Sequence, residues 1–316
     1  MKYKLPIVTL LSIAAGIAGW QTKQKLDRDA AAVNSSNSAA PSEARHRPTP
    51  SPAEGRGQKI VQQTVQSLLK IRALSAELRQ RIDMFDQQLV GIGTYKQMMV
   101  ADLSLVRMEM NIPVSADETE RWLQISDGRS LWTRRTGPQT KSLEVINLTR
   151  VQQVMESQET FAVDKVAASW MVLGGLPKLV DSLAKNFEFS SPVGKRIQDV
   201  PIWEVTGRWK KEVLKRMRGK ATKPLPPHVP DQVRLVLGRG EPLPLFPYRI
   251  EFGRSGTGQG GKEGQGPRSP GEFKRLVTLE FFRVQLNPKL DTGAFQFSPG
   301  EQSVVDRTDA VLEQLR

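Results

Sequence analysis

Apolar and polar residues alternate with a period of two through most of the chain after residue 73. Over residues 74–84, Ser75, Glu77, Arg79, Arg81 and Asp83 alternate with Leu74, Ala76, Leu78, Gln80, Ile82 and Met84. That pattern predicts a strand with one wet face. Leu74, Leu78 and Ile82 also fit helical steps of four, but five polar residues in strict alternation favour the strand. Upstream, Ile60, Val61, Val65, Leu68, Leu69 and Ile71 recur at helical spacing, predicting an amphipathic helix from Gln58 to about Arg72.

Further strands are predicted in "LVGIGTYKQMMV", "LSLVRMEMNI", "WLQIS", "SLWTRR", "SLEVINL", "IWEVTGRW", "VRLVLGR", "YRIEF" and "RLVTLEFFRVQL". The Asp127-Gly128 step between "WLQIS" and "SLWTRR" is a hairpin signal. Strands that follow one another without alternating helices argue for an antiparallel sheet. In residues 279–299, Leu279 and Phe281 are expected on one face and Phe282, Val284 and Leu286 on the other. "AFQF" then puts Phe295 and Phe297 on one face again. Bulky apolar groups on both faces either fill a core or line a space for an apolar ligand.

One helical insert, residues 161–189, interrupts the strands. Ala167, Trp170 and Met171 lie before a Gly174-Gly175-Pro177 break, and Leu179, Val180 and Leu183 follow it. Two short apolar helices with a flexible joint would cover a sheet face, either as plain packing or as a cover that opens. Two stretches read as insertions. Residues 210–230 are basic and then proline-rich. Residues 253–271 are Gly-rich, without the Lys-Ser/Thr context of a phosphate loop.

Ahead of the folded part, "MKYKLPIVTLLSIAAGIAGW" has Lys2 and Lys4 and then an apolar run of about 16 residues, short of the roughly 20 that span a bilayer. Residues 1–20 are expected to be an export signal or an amino-terminal anchor, with Trp20 suited to the interface. Residues 21–57 are rich in Ser, Ala and Pro and are expected to form a disordered linker. A coil of that length reaches roughly 30–35 Å. The folded domain is expected over residues 58–316, in the periplasm or cell envelope, either free or held at the inner membrane.

Composition narrows the chemistry. The chain has no cysteine, which excludes disulfides, thiolate metal sites and a cysteine nucleophile. Its two histidines, His46 and His228, lie in Ser/Pro-rich and Pro-rich contexts, so neither a metal site nor serine–histidine catalysis is expected. Glu204, Glu251 and Glu280 are the carboxylates considered for a cleft, but spacing alone pairs none of them. No cofactor and no enzymatic activity are expected. The net charge of +13 suits nucleic acid, anionic lipid or acidic partners. No nucleic-acid module is recognisable, so that partner is not expected. In residues 210–220, Lys210, Lys211, Lys215, Arg216 and Arg218 surround Val213, Leu214 and Met217. As a helix this would suit an anionic membrane surface; otherwise it is an exposed loop.

Taken in order, a helix and strand, "GIGTY", "LVRMEM", "QISDGRSLWTRR", the helical insert, "FPYRIEF" and "LEFFRVQLNPKLDTGAFQFSPGEQSVVD" resemble the LolA-like family of periplasmic lipoprotein carriers, over residues 58–306. The matching positions are Arg107, Asp127, Gly128, Leu131, Trp132, Asn287, Phe295, Phe297 and Pro299. The arginine that bonds the lid backbone in such carriers has no match here. The resemblance implies an antiparallel, incomplete β-barrel (mainly β, α+β) with short helices over an apolar concave face. It implies binding of lipoprotein acyl chains or other lipid for sorting or transport, by a monomer; the alternative is a membrane-tethered envelope sensor built on the same fold. The expected lining is Met108, Met110, Leu123, Trp132, Trp203, Val205, Ile250, Phe252, Leu279 and Phe281, with Trp170, Met171, Leu176 and Leu179 from the lid. The convex face is expected to be packed by the terminal "DAVLEQL".

Overall fold

The computed structural model describes residues 54–84, 87–157, 170–218, 225–226, 228–255 and 273–315. The expected leader, most of the expected linker, the start of the helical insert and the body of the Gly-rich stretch lie outside them.

The chain opens with helix α1 (Glu54–Leu69), whose Ile60, Val61, Val65 and Leu68 are buried. It begins four residues before the expected domain boundary, because Gln58 ties this end down: its side-chain amide donates to Ala184 O at 2.7 Å. Six strands follow: β1 (Ala73–Met84), β2 (Gln87–Val100), β3 (Leu103–Pro113), β4 (Thr119–Ser126), β5 (Ser130–Thr136) and β6 (Lys141–Asn147). After helices α2 (Leu148–Ser157) and α3 (Trp170–Asn186) come β7 (Phe187–Phe189), β8 (Val193–Ile197) and β9 (Val200–Trp209). Helix α4 (Lys211–Arg218) leads to β10 (Gln232–Gly238), β11 (Pro247–Ser255) and β12 (Phe273–Leu286). The chain closes with a 3-10 turn (Thr292–Phe295), β13 (Val305–Asp306) and α5 (Thr308–Leu315).

All the described strands form one 13-stranded sheet in the order β13-β6-β5-β4-β3-β2-β1-β12-β11-β10-β9-β7, with β8 paired to β9. Every pairing is antiparallel except the short β13–β6 contact. The order is a path and not a ring, so this is the open, incomplete barrel that the sequence implies. The buried core lies on one face, here called inner, beneath α1 and α3. The ten predicted strands are present; β7, β8 and β13, of three, five and two residues, are too short to show a period.

Register explains which residues face inward. In β1 the apolar set Leu74, Ala76, Leu78, Ile82 and Met84 is buried, which settles strand over helix. Gly93 stands opposite both Leu78 and Met110. A Cβ there would sit 1.7 Å from Glu109 O, so only glycine allows β2 and β3 to approach as they do.

Two expectations about the chain's end are corrected. A β-bulge in β12, opposite Ser75–Glu77, places Arg283 at φ 46° and inserts one extra residue. Leu286 therefore pairs with inward-facing Leu74, and Val284 packs on the core, whereas Phe282 remains on the outer face. Phe295 and Phe297 do not form a strand. Phe295 closes the 3-10 turn and is buried, while Phe297 stacks on Trp132 at 5.2 Å between centroids. This segment, rather than "DAVLEQL", covers the outer face of β3–β5: Arg107 Nη1 donates to Ala294 O at 2.9 Å. Helix α5 packs instead on α2 and β6, burying Leu312.

Candidate functional site

The inner face is built by cross-strand pairing. Met110 pairs with Trp122, Leu78 with Phe281, Leu279 with Ile250, and Ile250 with Leu235, which pairs with Val205. One apolar face therefore runs from β4 to β9. Of the expected lining, Met108, Met110, Val205, Ile250, Phe252, Leu279 and Phe281 lie buried on it. Trp203 is half-buried on the same face, with the Arg239 guanidinium 4.4 Å from its ring centroid.

Leu123 and Trp132 are corrections. Leu123 pairs with Glu109 and Arg134, and Trp132 with Ile125 and Val145, all on the outer face. The inward residues of β4 and β5 are Glu120, Trp122, Gln124 and Ser126, with Leu131, Thr133 and Arg135. The alternation is ambiguous here because the carboxy-terminal segment buries the outer face too, so Ile125 is as dry as Trp122. The inner face becomes polar at this end. Trp122 Nε1 donates to Glu120 Oε1 at 3.1 Å, and the buried Arg135 guanidinium lies 4.6 Å over the Trp122 ring. Burial lowers the pKa of Arg135, against the pull of Glu144 and Glu120.

The cover is α3. Its helix is broken by non-helical geometry at Gly174 (φ −159°, ψ 15°) and Gly175 (φ 75°, ψ −177°). Pro177 then falls in the first turn of the second half, where its missing N–H costs nothing. The first amides of a new helical segment need partners from elsewhere. Leu176 N finds two on β2, donating to Tyr95 OH at 3.0 Å and to Gln97 Oε1 at 2.9 Å. Tyr95 OH itself donates to Gln97 Oε1 at 2.8 Å, closing a buried triangle. Gly175 is required beside it, since its φ is positive and a Cβ would lie 2.3 Å from Gln97 Oε1. Burial pushes the Tyr95 pKa up, with the bond from Leu176 pulling the other way, so the phenol remains a donor.

Beyond this break, Leu176 and Leu179 are buried with Val180 and Leu183 against the inner face. Trp170 and Met171 belong to the helical first half; their side chains lie outside the described residues. Sequence reasoning missed Tyr95, Gln97 and Trp122. Tyr95 and Gln97 are an i, i+2 pair on the inward side of β2, a signal that is available only once the strand's facing is known.

The remaining expected positions have structural roles. Asp127 Oδ1 accepts from Arg129 N at 2.8 Å and Ser130 N at 2.7 Å, and Gly128 at φ 84° completes the turn. Asn287, at φ 51°, accepts from Arg72 N at 2.9 Å and donates its own N–H to Ala73 O at 2.7 Å, tying off the β1–β12 ribbon. Pro299 precedes a turn at Gly300 and accepts from Gln302 N at 3.4 Å.

In the basic stretch, Lys211, Lys215 and Arg216 are exposed on α4; the Arg218 side chain lies outside the described residues. Lys210 instead donates to Lys185 O at 2.6 Å, capping the carboxy-terminal end of α3. Val213 points into the core with Leu225 and Val229 from the following segment, so the helix spends its apolar edge on its own protein. His228 sits in that segment, its pKa lowered by burial and by Arg254.

Glu204, Glu251 and Glu280 are on the outer face and each is held by cations. Lys195 reaches Glu204 at 2.7 Å, Arg275 reaches Glu251 at 3.2 Å, and Arg249 reaches Glu280 at 2.7 Å. Among the described residues, no cluster of three or more His, Cys, Asp or Glu could hold a metal, and no helix is long and apolar enough to cross a membrane.

No family model matches the chain, and no curated protein matches it. Among solved structures it is similar to a DUF1329 family protein from Desulfovibrio piger (9% identity, TM-score 0.36, covering 77% of this chain and 97% of that one). It is similar to a putative outer membrane lipoprotein-sorting protein domain from Vibrio parahaemolyticus (9% identity, TM-score 0.32, covering 77% and 97%). It is also similar to the lipoprotein LppX of Mycobacterium tuberculosis (7% identity, TM-score 0.36, covering 75% and 97%).

Proposed function

We propose that the protein binds acyl chains of lipids or lipoproteins on the inner face of its open sheet, beneath α3, and that it works in the cell envelope. The observation that carries this reading is the construction of the cover. Its apolar half lies on Met108, Met110 and their neighbours, and a Gly-Gly break beside a three-atom polar triangle supplies a joint on which it would hinge. A plain packing helix needs no such break. If the second half of α3 swings on Gly174–Gly175, the face it leaves is a broad strip of Met, Leu, Ile, Val and Phe.

That strip suits hydrocarbon. Each CH₂ removed from water contributes about 0.8 kcal/mol, and methionine adapts to guests of differing shape. The polar end at Glu120, Gln124 and Arg135 suits the head of an amphiphile whose tails run toward β9. We assign residues 1–20 to export or anchoring, residues 58–316 to the binding domain, and no catalytic step to it.

Two experiments test this. Protein made in its own host and extracted should yield lipid or lipoprotein acyl chains by mass spectrometry. Met110→Asp, if folded, should no longer take up a fluorescent fatty acid from solution; unchanged uptake by that folded variant refutes the inner-face site. Mapping the mature amino terminus tests export: a start near Gln21 means a released carrier, and a start at Met1 means a tethered protein.

A further inference from the structure

The outer face carries a second feature, separate from the inner strip. Across β2, β1, β12 and β11 the pairings align Val90, Arg81, Thr278 and Glu251 in one row. They align Ile92, Arg79, Glu280 and Arg249 in the next. With Arg275 these residues line a hollow of about 490 Å³. Glu251 is nearly dry, with its side chain 3% exposed, and takes Arg234 at 3.3 Å, Arg275 at 3.2 Å and Arg249 at 3.8 Å. Glu280 takes Arg249 at 2.7 Å and Arg79 at 3.5 Å, and Asp83 at the rim takes Arg81 at 2.7 Å.

These carboxylates do not consume the positive charge. Six cations (Arg79, Arg81, Lys195, Arg234, Arg249 and Arg275) face four carboxylates (Asp83, Glu204, Glu251 and Glu280). A guanidinium has five N–H donors in a rigid fork. The ion pairs engage Arg79 through Nη1 and Arg81 and Arg275 through Nε, and these side chains remain 49%, 43% and 52% exposed. Buried Glu251 and half-buried Glu280 therefore hold the arginines in place and leave guanidinium donors without an ion-pair partner on exposed side chains. In the middle of the first row, Thr278 Oγ1 is buried without a hydrogen-bond partner among the described residues, although the residue lines the hollow. A native protein rarely leaves such a group unmatched. Beside the charges, Ile92 is 54% exposed and Phe282 is 37% exposed, with the Arg79 guanidinium 4.9 Å over the Phe282 ring.

We propose that this outer hollow binds the phosphate headgroup of an anionic lipid at a membrane surface. The guanidinium forks take the phosphate oxygens, the Thr278 hydroxyl donates to the same group, and Ile92 and Phe282 meet the interfacial region. Juxtaposed arginine and exposed apolar groups fit a lipid surface better than a free anion, which needs no apolar rim. The proposal stands whether or not the inner face holds acyl chains.

The test is co-sedimentation of the full chain with vesicles of phosphatidylcholine alone and of phosphatidylcholine with phosphatidylglycerol. The first reports whatever the amino-terminal apolar run contributes. Arg79→Gln with Arg275→Gln should weaken the phosphatidylglycerol-dependent part by about tenfold or more. Lys211→Gln with Lys215→Gln on α4 should leave most of it. Unchanged urea midpoints establish that both pairs are folded. Equal losses from the two pairs overturn the proposal in favour of general charge attraction. Binding of inorganic phosphate without vesicle binding overturns the lipid source, and arginine-dependent binding of polyglutamate without vesicle binding reassigns the hollow to an acidic peptide.

Discussion

Tyr95 and Gln97 show how few atoms control the cover. Replacing Tyr95 by Phe removes one acceptor of the Leu176 amide and leaves the other, Gln97 Oε1, in place. The expected loss is about 1 kcal/mol, read as a lower urea midpoint. Gly175→Ala is expected to cost more, about 1–3 kcal/mol, since it both strains φ and collides with Gln97. Faster hydrogen exchange confined to α3 would mark it as a lid defect. The Tyr95 phenol also makes stability depend on pH. Below the ordinary pKa of 10.0 it is neutral in both folded and unfolded chains. Above that, the unfolded chain ionises first, because burial holds the folded group's pKa higher. Stability is therefore fully present below about pH 10 and is lost as pH rises past it. Urea midpoints measured on either side of pH 10 should diverge less in Tyr95→Phe than in the parent; identical slopes refute the assignment.

At the scale of elements, legibility followed how many faces were wet. The outer face of β1 is charged, so its alternation fixed both its type and its facing. The facing of β4 and β5 was hidden because Trp132, cross-strand from buried Ile125, is covered by Phe297 from a segment far away in the chain. The β12 bulge was hidden for a different reason: one residue at positive φ reverses the facing of everything after it, and Arg283 gives no sign of that. The Phe295-Gln296-Phe297 pattern at the chain's end was legible as residues, but its work is packing on the outer face. Phe295→Ala should therefore destabilise the protein by about 3–5 kcal/mol. Acyl-chain affinity should be unchanged in the protein that remains folded. The Trp132–Phe297 stack should show a coupling of about 0.5–1.5 kcal/mol in a double-mutant cycle. Zero coupling would mean that the stack does nothing to hold the segment.

For the molecule as a whole, the proposed opening and the proposed binding would draw on comparable energies, and that comparison predicts the cargo. Lifting the second half of α3 exposes Leu176, Leu179, Val180 and Leu183, all now buried. At about 1.5–3 kcal/mol each, the cost is roughly 6–12 kcal/mol. One long acyl chain with about 15 CH₂ groups gains about 12 kcal/mol when fully buried. A single chain thus does little more than offset the opening, and the loss of its own freedom consumes the remainder. Two or three chains on one headgroup share one opening cost, so affinity should rise steeply from a fatty acid to a diacyl or triacyl lipopeptide. Leu179→Ala should act in opposite directions on two readouts. It should destabilise the free protein by about 2–5 kcal/mol, through the cavity it leaves, and should tighten binding of a single-chain probe, because the cover is cheaper to lift. Displacement titrations with one-chain and two-chain probes on the parent and on Leu179→Ala test both halves. Equal affinities for the two probes, or weaker single-chain binding in the variant, would show that α3 is a fixed part of the core and that hydrocarbon does not enter beneath it.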